Sequence, residues 1–145
     1  MTPTIIAKWS VTALLAVATA FAQDLTKATI PFDFTVGRTN MTAGAYTVRS
    51  IVPGTIQLVR DDHKASVIAL TNGVQARKTP AGSSLVFTRY GNSYFLSRVW
   101  TAGSSTGREL PKSKLEIEVA RVFKSGPVVQ ASVPATAASP LASSR

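Results

Sequence analysis

From Thr29 to Val36 apolar and polar residues alternate. Ile30, Phe32, Phe34 and Val36 fall on one side, and Thr29, Pro31, Asp33 and Thr35 on the other. A period of two predicts a strand with one buried face. Pro31 has no N–H to give to a ladder, so this strand is expected at an edge or to start irregularly. Gly37 to Asn40 turns the chain, and Tyr46 and Val48 carry the next strand, Gly44 to Ile51. Pro53-Gly54 fits the central positions of a type II turn. Ile56 and Leu58 continue the alternation to Arg60, and Asp61-Asp62-His63-Lys64 reads as a polar hairpin tip. Ser66 to Thr71 is a further strand, and Val74 to Arg77 a short one. The loop Thr79 to Ser83 follows.

The strongest local signal is Gly91-Asn92 between Ser84–Tyr90 and Ser93–Thr101, a two-residue hairpin turn. It sets Tyr90 opposite Ser93, Arg89 opposite Tyr94 and Phe87 opposite Leu96. One face should then carry Leu85, Phe87, Arg89, Tyr94, Leu96, Arg98 and Trp100, and the other Val86, Thr88, Tyr90, Phe95, Ser97 and Val99. Two apolar faces call for cover on both sides. Ser113 and Glu116 form a capping box that starts a helix over about 113–124. Leu115, Val119 and Val122 or Phe123 share its apolar face, and Gly126-Pro127 stop it. The expected fold is mainly all-β: an antiparallel meander of six or seven strands, a small barrel or sandwich, with one C-terminal helix packed on it.

The ends read differently. Met1 to Ala22 has the form of a secretory signal peptide, with Lys8, an apolar stretch from Trp9, and Ala20-Phe21-Ala22 as the cleavage site. The apolar run is about 12–13 residues where a membrane span needs about 20, so removal is expected, with Gln23 as the mature N-terminus. Ser125 to Arg145 is built from Ala, Ser, Val and Pro and is expected to be a disordered tail. The folded domain should lie within residues 23–124.

Composition narrows the chemistry. The 145 residues contain no cysteine and one histidine, which removes thiol catalysis, disulfides, Cys-ligated zinc and multi-His metal sites. The formal net charge is +9, and the leader takes only Lys8 from it. In an exported chain, positive charge points to anionic lipid headgroups, glycans or polymers, not to nucleic acid, or else, scattered as it is with no block of five, only supports solubility. His63 lies at a predicted tip, and Asp61-Asp62-His63 supplies no third or fourth ligand nearby, so neither a catalytic triad nor a metal site is expected. The other carboxylates of the cleaved chain are Asp24, Asp33, Glu109, Glu116 and Glu118, and none is paired in sequence for glycoside hydrolysis. No cofactor motif is present. Ala102 to Arg108 fails the phosphate-loop spacing, but its backbone and Arg108 suit an anion, unless it is a plain connection to the helix. Arg89, Tyr94, Arg98 and Trp100 on one hairpin face offer stacking planes and cationic forks for sugars or anions, or else a core tryptophan under arginine stems.

Three segments carry a resemblance: Ile30-Pro31-Phe32-Asp33-Phe34-Thr35-Val36-Gly37, Ala43-Gly44-Ala45-Tyr46-Thr47-Val48, and Phe87 through Trp100-Thr101-Ala102-Gly103 to Gly107-Arg108-Glu109-Leu110-Pro111. They resemble an uncharacterised family of small exported β-proteins abundant in acidobacterial genomes, over most of residues 28–124. The resemblance implies bacterial export and a β-rich domain, and no activity. The sequence therefore leads to an exported, non-catalytic envelope protein, periplasmic or extracellular, that binds or builds. The alternative is a small barrel carrying a hydrophobic ligand among Phe32, Phe34, Tyr46, Phe87 and Trp100.

Overall fold

The computed structural model describes residues 25–124 and 126–138. The leader expected over Met1–Ala22 and its cut before Gln23 lie outside them. The chain forms β1 (Leu25–Ile30), β2 (Phe34–Val36), β3 (Thr39–Met41), β4 (Gly44–Val52), β5 (Thr55–Arg60), β6 (Ser66–Leu70), β7 (Asn72–Gln75), β8 (Ser83–Tyr90), β9 (Ser93–Trp100), β10 (Thr106–Glu109), α1 (Lys114–Val122) and β11 (Val129–Ala138).

Among the described residues these strands make one nearly closed barrel, with a single helix near the C-terminal end. Around the ring the order is β9-β8-β11-β1-β4-β5-β6, while β7 pairs β10 and β10 pairs β9. β6 and β7 are one chain bent at Thr71, which carries the ring from β5 to β10. Counting β6 and β7 together gives eight staves, all antiparallel. A barrel of about eight strands has an interior that side chains can fill. Here Tyr46, Phe87, Leu58, Leu85, Ile30 and Ile56 are fully buried within it. Phe34 packs edge-on to Tyr46 and Phe87, with centroids 5.2 and 5.3 Å away. Phe32 meets Phe87 edge-on at 5.0 Å and stacks on Tyr94 at 3.8 Å, plugging the end nearest the Gly91-Asn92 turn.

The expected strand through Ile30–Val36 is broken. β1 ends at Ile30, Pro31-Phe32-Asp33 turns a corner, and β2 joins β9 by a parallel bridge, Thr35 to Phe95. Pro31 cannot extend the β1 ladder, because it has no N–H. The Asp33 carboxylate holds the corner by accepting from Ala43 N at 2.8 Å. The alternation of Phe32, Phe34 and Val36 survives the break because all three still face the core.

The tail expectation for 125–145 is overturned across Val129–Ala138. β11 lies in the sheet between β8 and β1, pairing Ala131 with Phe87, Val133 with Leu85 and Ala135 with Ser83. Composition weighs a segment's own apolar content, but a strand inside a sheet also gains main-chain hydrogen bonds from its neighbours. A small residue suits this stave at Ala131 because it faces the large Phe87. Pairing with β1 extends inward only as far as Thr136, short of Pro134, which has no N–H to offer.

The helix also differs from expectation. Ser113 Oγ caps it by accepting from Glu116 N at 3.1 Å. The Glu116 side chain does not complete the capping box; it turns inward. The inward face therefore centres on Glu116, leaving Leu115 and Phe123 partly exposed and Val122 83% exposed. Nine residues cover only the turn end of the hairpin, where Phe123 lies against Gly91. No helix among the described residues is long and apolar enough to cross a membrane.

Candidate functional site

The β8–β9 hairpin has the register its turn dictates at Tyr90–Ser93, Arg89–Tyr94 and Phe87–Leu96. It then shifts, pairing Val86 with Arg98. Ser97 is the extra residue of a β-bulge. Its carbonyl accepts from Leu110 N at 2.8 Å. One inserted residue exchanges the faces of everything beyond it. Val99 joins Leu85, Phe87 and Leu96 in the core, and Arg98 and Trp100 pass to the outer surface. The expected set of Arg89, Tyr94, Arg98 and Trp100 on one face is thus divided in two.

Arg89 and Tyr94 stay together at the turn end. The guanidinium carbon lies 5.4 Å from the Tyr94 ring centre, and Nε donates to the Gly91 carbonyl at 2.6 Å. Because Tyr94 is also stacked on Phe32, this pair seals the core.

Arg98 and Trp100 line a groove of about 550 Å³ on the outside of the barrel, with Val74, Arg77, Lys78, Pro80 and Ser84. The β9–β10 register of Arg108 to Val99 and Glu109 to Arg98 puts Gly107 opposite Trp100. The indole lies on that glycine, where any Cβ would collide with the ring. Glycine is needed here because the flat ring uses the space a side chain would take. Arg98 Nη2 meets Glu109 Oε1 at 3.4 Å, while Arg98 Nε is buried with no partner among the described residues. Three cations and one indole thus share a groove with a single acid at its border. Arg77 and Lys78 were missed in the sequence, although an adjacent basic pair in a short strand-to-loop segment is a usable signal.

Arg108 belongs to neither group. The segment expected to be a loop over 102–108 becomes strand β10 from Thr106, and Arg108, opposite Val99, faces into the barrel mouth. Its Nη2 donates to Ser50 Oγ at 3.2 Å.

The remaining ionisable groups are dispersed. His63 is exposed at its tip as a turn residue, with φ of 59°. That angle lies in the left-handed region, which histidine enters more readily than most side chains do. Asp62 pairs with Arg60 at 3.0 Å, and Asp61 accepts from Thr47 Oγ1 at 3.1 Å. Among the described residues no three His, Asp or Glu side chains gather as a metal site.

Glu116 is the exception, at 6% exposed with its Oε1 accepting from Tyr90 Oη at 3.1 Å. Burial pushes its carboxyl above the usual range, more than the Tyr90 hydrogen bond and the Lys112 charge pull it down. Burial, with the Glu116 charge and hydrogen bond, likewise raises the Tyr90 phenol. A raised carboxyl pKa means that the folded state holds the proton more tightly than the unfolded chain. The associated stability is complete below the unfolded value, about 4.3, and is lost as pH rises through the folded one. Glu116→Gln keeps an acceptor without the charge. It should melt higher than the wild type near pH 7, and the gap should close toward pH 4; a gap constant with pH in thermal melts would refute this. Tyr90→Phe at neutral pH strands the carboxylate and should cost about 1–3 kcal/mol in urea unfolding.

No protein-family model matches the chain, nor does any curated protein or solved structure. The functional reading therefore rests on the geometry above.

Proposed function

We propose that this is an exported, non-catalytic envelope protein that binds anionic glycan or related polymer through the outer groove of β7, β10, β9 and β8. The observation that carries this reading is Trp100 lying in one groove with Arg77, Lys78 and Arg98. An indole stacks on sugar faces, and guanidinium forks take carboxylates or phosphates. The leader-like Met1–Ala22 and the resemblance to exported acidobacterial β-proteins support the location. The carrier alternative draws less support: Phe32, Phe34, Tyr46 and Phe87 pack against one another, and Trp100 lies outside.

Titration calorimetry with polygalacturonate, and with neutral dextran as control, tests the reading. Polygalacturonate should bind, and the affinity should fall steeply with salt. Arg77→Glu with Lys78→Glu should weaken binding at least about tenfold at low salt, a change of about 1.4 kcal/mol. Equal binding of dextran, or an unchanged affinity in the double variant, would reject it.

A further inference from the structure

We propose that the barrel mouth is a second binding site, for a small hydroxylated carboxylate of the size of a single uronic acid. At the end of the barrel away from the Gly91-Asn92 turn, the core gives way to a concavity of about 220 Å³. At about 30 Å³ per water this is room for about seven waters, too small for a lipid tail or a polymer segment. Its lining sets hydroxyls and cations beside the apolar Val48, Ile56 and Val99, whereas deeper in the same staves are apolar throughout. Thr26, Ser50 and Thr101 supply hydroxyls, with Arg49 at the rim and Arg108 on the inner face of β10.

Arg108 is the reason to expect an anion. It is half-buried and forms no ion pair among the described residues, whose pairs are Arg60 with Asp62 and Arg98 with Glu109. A guanidinium offers five N–H donors in one plane, and Ser50 takes one of them. A charge held partly out of water without a counter-ion is costly, and a bound carboxylate would supply that counter-ion through two parallel hydrogen bonds. The Ser50 contact orients the fork across the mouth. Hydroxyls on β1, β4 and the end of β9 surround it, matching a ligand that carries alcohols beside its acid. Gly73, opposite Arg108, keeps the wall of the mouth low.

This site is independent of the groove. It uses the inner face of β10, with Arg108, whereas the groove uses the outer face of β9, with Arg98 and Trp100. Calorimetry on the purified protein with sodium glucuronate, glucose and inorganic phosphate at matched ionic strength tests it. Glucuronate should bind, with glucose and phosphate each at least about tenfold weaker. Arg108→Met should lose glucuronate by about tenfold or more, and Arg98→Met should retain it. Thr101→Val, which keeps shape and removes one hydroxyl, gives a second reading if Arg108→Met melts early; it should weaken glucuronate and leave phosphate unchanged. Absence of glucuronate binding, equal binding of glucose, or retention in Arg108→Met would overturn the proposal. Phosphate binding as tightly as glucuronate would also overturn it, since the mouth would then hold a bare oxyanion. Loss of polygalacturonate binding in Arg98→Met with glucuronate retained would separate the two sites.

Discussion

A chain ending at Lys124 is expected not to fold. β11 pairs with seven residues of β8 and three of β1, and it is the only stave between them. Its removal opens two ladder edges and uncovers Leu85 and Phe87, both with 0% exposure. Main-chain groups left unpaired at a buried seam cost about 1–3 kcal/mol each, and a domain of this size has about 5–15 kcal/mol in all. Circular dichroism should show loss of the cooperative transition. Supplying residues 125–138 as a peptide should restore it, because strand addition to an open edge remakes the same ladder. Within the full chain, Val133→Ala should cost about 1–3 kcal/mol. A truncated chain that melts like the full one would show that β11 is dispensable.

Phe87→Ala is expected to be the most damaging single substitution in the core. The ring is fully buried and touches both Phe32 and Phe34 edge-on, and Ala131 is its small cross-strand neighbour on β11. A phenylalanine-to-alanine change in a packed core costs about 3–5 kcal/mol, from lost transfer energy and the cavity left behind. Urea unfolding at constant m-value should show a loss in that range. A loss under about 1 kcal/mol would mean that the ring already borders empty space, and would favour the ligand carrier over the groove.

Most of the β content was legible because alternation is a local property. Ile56 and Leu58, Tyr46 and Val48, and Leu85 and Phe87 sit on their strands as a period of two requires. Gly54 has φ of 79° and Gly91 has φ of 59°. Both are glycines where the turns demand them, so those hairpins could be read from two residues each. The Ser113 cap was equally local. β11 was read as disordered tail, although Ala131, Val133 and Ala135 alternate with Gln130, Ser132 and Pro134. Alanine is too small to mark a buried face by itself, and the prolines argued for coil.

The candidate site was legible as residue types but not as an arrangement. Arg98, Trp100 and Arg108 were identified, yet a single bulge at Ser97 decided which of them look outward. That bulge is supported by Leu110, thirteen positions along, whose amide bonds to the Ser97 carbonyl. The inward turn of Glu116 depends similarly on Tyr90, 26 residues away.

Strands, tight turns and the helix start were set by the sequence itself, because each depends on neighbours within a few residues. Ring closure, the side of the sheet that each arginine occupies and the burial of Glu116 were decided by the tertiary structure. A one-residue shift in register reverses a strand's faces, and which shift occurs depends on hydrogen bonds and packing volumes supplied by distant parts of the chain.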